Sequence, residues 1–372
     1  MFKRLKVRLY PTIKQKKVLD NHLEVFRYVY NLSLEYKITL WKQWGKNISG
    51  YDMAKEILEI RKDVPWINNC KAECVREACH EVDKSFKKFF KGNGFPKFKI
   101  KKDEQSFHVY QSIKVIGNKL TFYKQNIKVK SSQDYIILLN SNKIRQVTFK
   151  KDKCGDYWAI CLIDVQDTQK LPASNNYVGI DLGIKDLVIT SDGIVYKNKK
   201  YLQNSYYKLR RLQRRFSKTK KGGNNREKLR IRIAKLHRKI TRQREHYYHQ
   251  ITNELIRDNQ TIVVESLRIK NMIRNHKLAR SINDASWGLL IRMLEYKANW
   301  YGRDIIKVDP FYPSSKTCSG CGNIKSELKL SERVYTCECC GLTIDRDLNA
   351  SINIRNTGVK IPVEPVENTN NS

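Results

Sequence analysis

The chain has 372 residues, 40% of them hydrophobic, which allows one to three folded domains and excludes a wholly disordered protein. Its 73 Lys and Arg against 37 Asp and Glu leave a formal net charge of +36, a self-repelling excess whose natural counterpart is nucleic acid, since each neutralised phosphate releases counterions. No run of about 18 apolar residues and no N-terminal secretory pattern is found, so no membrane partner is expected and a cytoplasmic location is.

In chain order, Phe2 to Tyr10 alternates in type and stops at Pro11, which predicts a short strand. Val18, His22, Val25, Phe26, Val29 and Tyr30 then recur at spacings of three and four, the helical period. A second stripe of Cys70, Cys74, Val75, Ala78, Val82, Phe86 and Phe89 predicts a helix from about Pro65 to a stop at Gly92 and Gly94. Residues 11–92 thus read as a helical insertion after the first strand. From Phe95 to Val165 the period falls to two. Ile113 to Ile116, the turn Gly117-Asn118, and Leu120 to Tyr123 form one hairpin. Val147 to Phe149 and Tyr157 to Ile160 form another, turned around Lys153, Cys154 and Gly155. With the first strand these predict a small β-barrel. Its Lys, Arg, Phe and Tyr suit contact with phosphates and bases, an ordinary solvated face being the alternative.

Residues 171–177 read as a linker. The strands Tyr177 to Asp181 and Asp186 to Thr190 follow, then a basic helical hairpin with Gly222, Gly223, Asn224 and Asn225 at its turn. Between Lys197 and Arg244 there are twenty Lys and Arg and a single acid, Glu227, a density that predicts nucleic-acid contact. The strand Thr261 to Glu265, a helix from Trp287 to Tyr301, the strand Asp304 to Val308 and a helix over Asp347 to Ile354 complete the pattern. A disordered tail is expected from 357 to 372.

Five of the ten cysteines crowd between Cys318 and Cys340. Cys318 and Cys321, then Cys337 and Cys340, make two C-x-x-C knuckles, the spacing that offers four thiolates to one tetrahedral, structural Zn²⁺. Cys339 is the surplus, because C-x-x-C followed by Gly341 favours Cys340. Cys70, Cys74, Cys79 and His80 fall mostly on an apolar helical face and read as buried side chains rather than ligands. Three acids stand out. Asp181 sits in an apolar strand between Gly179 and Gly183, Glu265 ends another, and Asp347 opens the last helix. Ionised carboxylates in such settings need a cation or a partner. Converging, they could hold two divalent ions about 4 Å apart for phosphodiester hydrolysis.

The stretch PSSKTCSGCGNIKSELKLSERVYTCECCGLTIDRDLNASINI, from Pro313 to Ile354, resembles the C-terminal signature of TnpB proteins, the OrfB-type proteins of transposons. GIDLGIKDLVITSDG at 179–193 and VVESLRIKNM at 263–272 are similar to their first and second RuvC motifs. KVRLYPTIKQKKVLDNHLEVFRYVYN and DKSFKKFFKGNGFPKFK match the family's N-terminal half, so the resemblance spans nearly the whole chain. It implies an RNA-guided DNA endonuclease related to type V CRISPR effectors, with a guide RNA derived from the element and a double-stranded target DNA as partners. Asp181, Glu265 and Asp347 would be the catalytic acids holding two Mg²⁺, with Mn²⁺ an acceptable substitute. Asp345, two residues before Asp347, would lie outside the ligand set.

The implied fold is a mixed α+β and α/β multidomain chain. Residues 1–10 and 93–170 would form a wedge-like β-barrel and 11–92 a helical recognition insertion. Residues 177–312 and 342–356 would form an RNase H-like (RuvC) nuclease domain with an inserted basic hairpin, and 313–341 the zinc ribbon. A non-cutting RNA-guided regulator and a strand-transfer transposase are the alternatives. The three intact acids weigh against the first. No two of the seven histidines are separated by one residue, which leaves no His-x-His metal motif for the single-strand form of the second.

Overall fold

A computed structural model gives the fold and describes residues 2–101, 103–165, 170–329 and 332–360. The chain divides into two compact units, one up to Asp167 and one from Thr168. In the first, β1 (Phe2–Tyr10) buries Leu5, Val7 and Leu9 and turns Arg4 and Lys6 outward, the alternation of a half-buried strand. Thr12 then caps α1 (Ile13–Trp44). Its Oγ1 accepts from the Gln15 N–H while Gln15 Oε1 accepts from the Thr12 N–H, a reciprocal capping box.

Next come α2 (Gly50–Ile60), α3 (Pro65–Asn68) and α4 (Ala72–Phe89). The single helix expected from Pro65 is therefore two, broken over residues 69–71. Arg61 is the cause. Its guanidinium donates to the carbonyls of Asn68 at 2.9 Å and Cys70 at 2.7 Å, taking acceptors that a continuous helix would use.

The unit is completed by β2 (Gln105–Val109), β3 (Lys114–Ile116), β4 (Lys119–Phe122), β5 (Gln125–Lys130), α5 (Gln133–Ser141), β6 (Lys143–Lys151) and β7 (Tyr157–Asp164). Its sheet is antiparallel in the order β2-β6-β7-β1-β5-β4-β3, with β3–β4 and β6–β7 hairpins at the anticipated turns. Among the described residues the ladders leave β2 and β3 as open edges. The sheet nevertheless curls, so that Phe107 of β2 and Phe122 of β4 meet at 5.5 Å. Leu19, Phe26, Val75 and Val82 from the helices share one core with Val7, Phe107 and Phe149 from the strands.

The second unit contains β8 (Tyr177–Asp181), β9 (Asp186–Thr190), β10 (Val195–Lys197), α6 (Tyr201–Asn204), α7 (Tyr206–Ser217), α8 (Asn224–Asp258) and β11 (Thr261–Glu265). After these run α9 (Ile269–Met272), α10 (Ala279–Ala285), α11 (Trp287–Tyr301), β12 (Asp304–Val308), β13 (Val334–Thr336), β14 (Thr343–Asp345) and α12 (Arg346–Val359). The main sheet has the order β10-β9-β8-β11-β12, and only β9 runs against the other four. That is the strand arrangement of an RNase H-like core. The tail expected from 357 is helical as far as Val359, because Ile354 and Val359 pack onto β11 and β12. Residues 361–372 lie outside the described residues.

The basic hairpin is α7 against α8, closed by Leu209, Leu236 and Ile240. α8 continues unbroken for 35 residues, about 52 Å, and its far end packs on the sheet. Asp284 anchors the hairpin's base. Buried, it accepts from the N–H groups of Leu202 and Gln203 and from Arg244 at 3.0 Å. Lys297 of α11, buried against α8, donates to Thr252 and Asn253 at 2.6 Å, and burial pushes its ammonium down to about 8. No described helix is long and apolar enough to cross a membrane.

The sheet is covered on both faces. Val178 and Ile180 of β8 and Ile262 and Val264 of β11 pack with Tyr248, Leu255, Leu290 and Leu294 of α8 and α11. Val263 and Val308 pack with Ile354 of α12 on the other face. Here two glycines permit unusually close contact. A Cβ at position 179 would lie 2.1 Å from the Ser351 carbonyl oxygen and 2.5 Å from the Arg355 nitrogen, and one at position 358 would lie 2.3 Å from Val263. Substituting Gly179→Ala is expected to destabilise this unit by about 1–3 kcal/mol through overpacking. Gly288→Ala, in α11 with only an ordinary 3.5 Å contact to Ile269, should stabilise it by about 0.5–1 kcal/mol. Urea unfolding of the two variants gives opposite signs if the contact at Gly179 is as tight as described.

Candidate functional site

Strand alternation decides where the acids fall. Asp181 follows Gly179 by two residues and Glu265 follows Val263 by two, so both carboxylates lie on the α12 face. β8 and β11 are parallel with Ile180 opposite Val264, which sets Asp181 and Glu265 side by side at neighbouring strand ends. Ser351 touches Gly179. Asp181 is two strand residues beyond that contact, about 6.6 Å, and Asp347 is four helical residues before it, about 6 Å. The two displacements match, and Asp347 arrives beside Asp181.

The electrostatics agree. Burial, and after it the charges of Asp347 and Glu265, push the Asp181 carboxyl up to about 7. Burial raises Glu265 as well. Asp347 turns toward Arg346, at 2.9 and 3.1 Å, and lies 3.6 Å from Arg333. Arg346 also acts on Asp181, drawing its pKa down. The arginines are a feature that the acidic pattern did not reveal. The signal of Arg346 in the sequence is only its place between two Asp in DRD, and Arg333 has none. The carboxylate oxygens of Asp181, Glu265 and Asp347 do not all lie within 4.8 Å of one another, as the four cysteine sulfurs of the ribbon do, but an all-oxygen, partly buried donor set suits hard divalent cations such as Mg²⁺ or Mn²⁺ in its chemistry. Asp345 has a different task. It is the N-cap of α12, its Oδ1 accepting from the N–H groups of Asp347 and Leu348 at 3.0 Å each.

Cys318, Cys321, Cys337 and Cys340 converge, all four sulfurs within 4.8 Å of one another, while Cys339 is exposed. The two knuckles share one backbone pattern. The Cys318 N–H donates to Asn323 O and Gly322 N–H to Cys318 O, just as Cys337 N–H donates to Leu342 O and Gly341 N–H to Cys337 O. Each turn ends on a glycine of positive φ, +76° at Gly322 and +71° at Gly341. Burial opposes ionisation of Cys337, but N–H groups of Cys340 and Cys339 and the neighbouring thiols bring it down to about 6. Four thiols with one poised to ionise match the donor set of tetrahedral Zn²⁺. The first knuckle is tied to α12. Asn349 and Asn353, fully buried, donate to Thr317 O at 2.7 and 2.6 Å, Asn353 reaches Ser314 O at 2.8 Å, and Asn349 Oδ1 accepts from the Ser319 N–H at 2.9 Å.

In the first unit His22, Cys70 and Cys74 also come within 4.8 Å, fully buried. His22 Nε2 accepts from the Lys71 N–H at 3.1 Å, so Nδ1 carries the proton and donates to Val18 O at 2.7 Å. Both ring nitrogens are used, and the group is a satisfied polar knot inside the core. Cys79 is buried too, and its thiol accepts from Ser33.

Three family models match the chain. One described as a "probable transposase" covers residues 160–276, a Cas12f1-like TNB domain covers 287–354, and a helix-turn-helix domain covers 1–46. Residues 1–46 do not fold as a helix-turn-helix here, since β1 is followed by one long helix. A Streptomyces pristinaespiralis protein named "putative RNA-guided DNA endonuclease" is 33% identical over 361 residues, 95% of this chain and 89% of that one. An Escherichia coli K12 protein named "putative RNA-guided DNA endonuclease InsQ" is 26% identical, covering 95% and 91%. Among solved structures, a chain from a cryo-EM structure of a Cas12f1–sgRNA–target DNA complex has a TM-score of 0.55 at 15% identity, covering 96% of this chain and 99% of that one, a likeness of fold.

Two outcomes follow from the site. Because the folded Asp181 pKa is raised, the protonated form favours the fold, and the stability that Asp181 contributes to the Mg²⁺-free protein is present below about 4 and falls away as pH climbs through about 7. Asp181→Asn should flatten part of that fall in thermal melts taken across the range. Cys318→Ser should lower the bound zinc measured by elemental analysis and speed amide exchange in α12, through the Asn349 and Asn353 bonds.

Proposed function

Because the chain belongs to the TnpB family of OrfB-type, transposon-encoded proteins, we propose that it is an RNA-guided DNA endonuclease that cuts its target at a single RuvC-like site. The observation carrying this reading is the arrival of Asp181, Glu265 and Asp347 from two strands and a helix on one face of an RNase H-like sheet. Asp181, Glu265 and Asp347 would hold two divalent cations. Once bound, the cations supply Lewis acidity for phosphodiester hydrolysis, easing deprotonation of the attacking water and neutralising charge on the leaving oxygen.

The chain's own residues do the rest. Asp181, at about 7, gives up its proton as cations enter, so binding strengthens with pH up to neutrality. Arg346 and Arg333 hold Asp347 beside the acids and, with a phosphodiester present, offer charge to its non-bridging oxygens. Cys318, Cys321, Cys337 and Cys340 would carry one structural Zn²⁺, with no open position for chemistry.

In domain terms, residues 177–312 and 342–356 act as the nuclease, 313–341 as the ribbon, 11–92 as the recognition insertion, and 1–10 with 93–170 as the wedge. Base pairing of the guide would read the target sequence, while the protein holds the heteroduplex by charge. The basic hairpin α7–α8, with twenty Lys and Arg between Lys197 and Arg244, is one such surface.

The test is expression with flanking genomic DNA, followed by sequencing of the RNA that copurifies and cleavage of a matching target. A single abundant RNA with a variable end and a Mg²⁺-dependent double-strand cut support the reading. Asp181→Ala should lose cutting by at least three orders of magnitude, a size expected for an essential metal ligand, and retain the RNA. Cutting that survives Asp181→Ala overturns the assignment of the acids.

A further inference from the structure

Between Lys84 and Lys101 the chain carries seven lysines, five phenylalanines and no acid. α4 ends in this stretch with a well-tied reversal. The Gly92 N–H donates to Phe89 O at 2.9 Å, and the backbone and side-chain amides of Asn93 both donate to Lys88 O, at 3.2 and 2.9 Å. Phe95 then returns edge-on against Phe89 at 5.3 Å and Phe86 at 5.6 Å. Further on, the Asn31 amide brackets the Lys99 backbone at 2.8 and 2.9 Å. The Lys99 ammonium lies over the Tyr30 ring at 4.2 Å and pairs with Glu81 at 3.1 Å. The chain is therefore fixed on both sides of Pro96.

On this fixed frame three rings face solvent. Phe90 is 78% exposed, Phe98 51% and Phe95 49%. Phe90 and Phe95 both lean on Phe86 and Phe89, Phe98 follows three residues on, and exposed aromatic surface of this kind is relieved by a partner. Lys87, Lys88, Lys91 and Lys97 adjoin them along the chain, all exposed and with no ion pair among the described residues.

We propose that Phe90, Phe95 and Phe98 form a stacking platform for unpaired nucleobases, with the adjoining lysines holding the phosphates on either side. The inference rests on the nucleic-acid reading given above and adds a surface to it. Charge selects the occupant. A protein surface closing over the rings would strip water from four unpaired ammonium groups, and lysine is depleted where protein interfaces close. A second copy of this chain would bring the same four lysines and another +36. An unpaired strand offers both complements at once, a flat π face for each ring and a phosphate for each ammonium. A fully paired duplex keeps its base faces stacked internally and offers only the second. Because the frame is already fixed, little conformational entropy is lost on docking.

The test uses the full chain carrying Asp181→Ala, freed of nucleic acid and without divalent cations, so the outcome does not depend on cutting. Its probes are single-stranded RNA and DNA oligonucleotides bearing 5-iodouracil and a blunt-ended, fully paired duplex of matched length. Phe90→Leu and Phe98→Leu, both at exposed rings, should each weaken single-strand binding by about fivefold or more. They should leave the salt dependence of binding and the duplex affinity unchanged. Lys87→Gln with Lys91→Gln should instead reduce the slope of log affinity against log salt by about one to two. Photocrosslinks should map to Phe90, Phe95 or Phe98, and comparison of the RNA and DNA oligonucleotides identifies which strand is preferred. Unchanged single-strand affinity in the leucine variants, or an equal loss on the duplex, overturns the platform. So does a leucine variant that alters sedimentation but not binding, which would make the patch a contact between copies.

Discussion

The carbonyl oxygen of Ser351 lies where a side-chain carbon at position 179 would have to be, and the placement of the acidic centre depends on that contact. Helix α12 can rest on the sheet at this depth only because Gly179 has no side chain and because Gly358 clears Val263 farther along. The seam sets the height at which Asp347 stands over the strand ends. An additional methyl would lift the helix and with it the third carboxylate, although none of the acids would itself have changed. The demand for glycine beside Asp181 is thus a demand of packing, expressed at a distance as chemistry.

A second set of bonds fixes the helix along its own axis. Asp345 closes the first turn, and Asn349 and Asn353 spend their amides on the Thr317 carbonyl just before the first cysteine knuckle. Burying two asparagines is tolerable only when their hydrogen bonds are satisfied, and here Ser314, Thr317 and Ser319 supply the partners. The first cysteine knuckle is thereby tied to the helix that carries Asp347. Elsewhere the same logic recurs in Asp284, which collects two N–H groups and Arg244 to root the basic hairpin.

Much of this was legible in the sequence, for identifiable reasons. Period-two strands bounded by turns fell where their alternation put them, and the cysteine knuckles converged because four such residues at that spacing have few other uses. Asp181 and Glu265 stand out as candidates because each is an ionisable group at the end of an apolar strand, and Asp347 because it opens the last helix. What stayed hidden depends on contacts remote in sequence. The break before α4 is made by Arg61 reaching carbonyls past the next turn. His22 joins Cys70 and Cys74 from a different helix. Arg346 is an unremarkable basic residue in a basic chain until the fold sets it between two carboxylates. The helical continuation through Val359 was missed because polar residues there mask the few apolar contacts that hold it.

The order of these parts along the chain has a consequence in time. The ribosome delivers the basic hairpin first, then β11, then the ribbon, and only afterwards α12, which must fold back to the first strand of the sheet. Domains generally fold as they emerge, but the sheet receives α12 last, and the carbonyls that satisfy Asn349 and Asn353 come from the residues made just before it. A nascent chain therefore presents its positively charged surfaces before its three acids have met. On the proposed reading, capacity to hold RNA precedes capacity to cut DNA within the synthesis of every molecule.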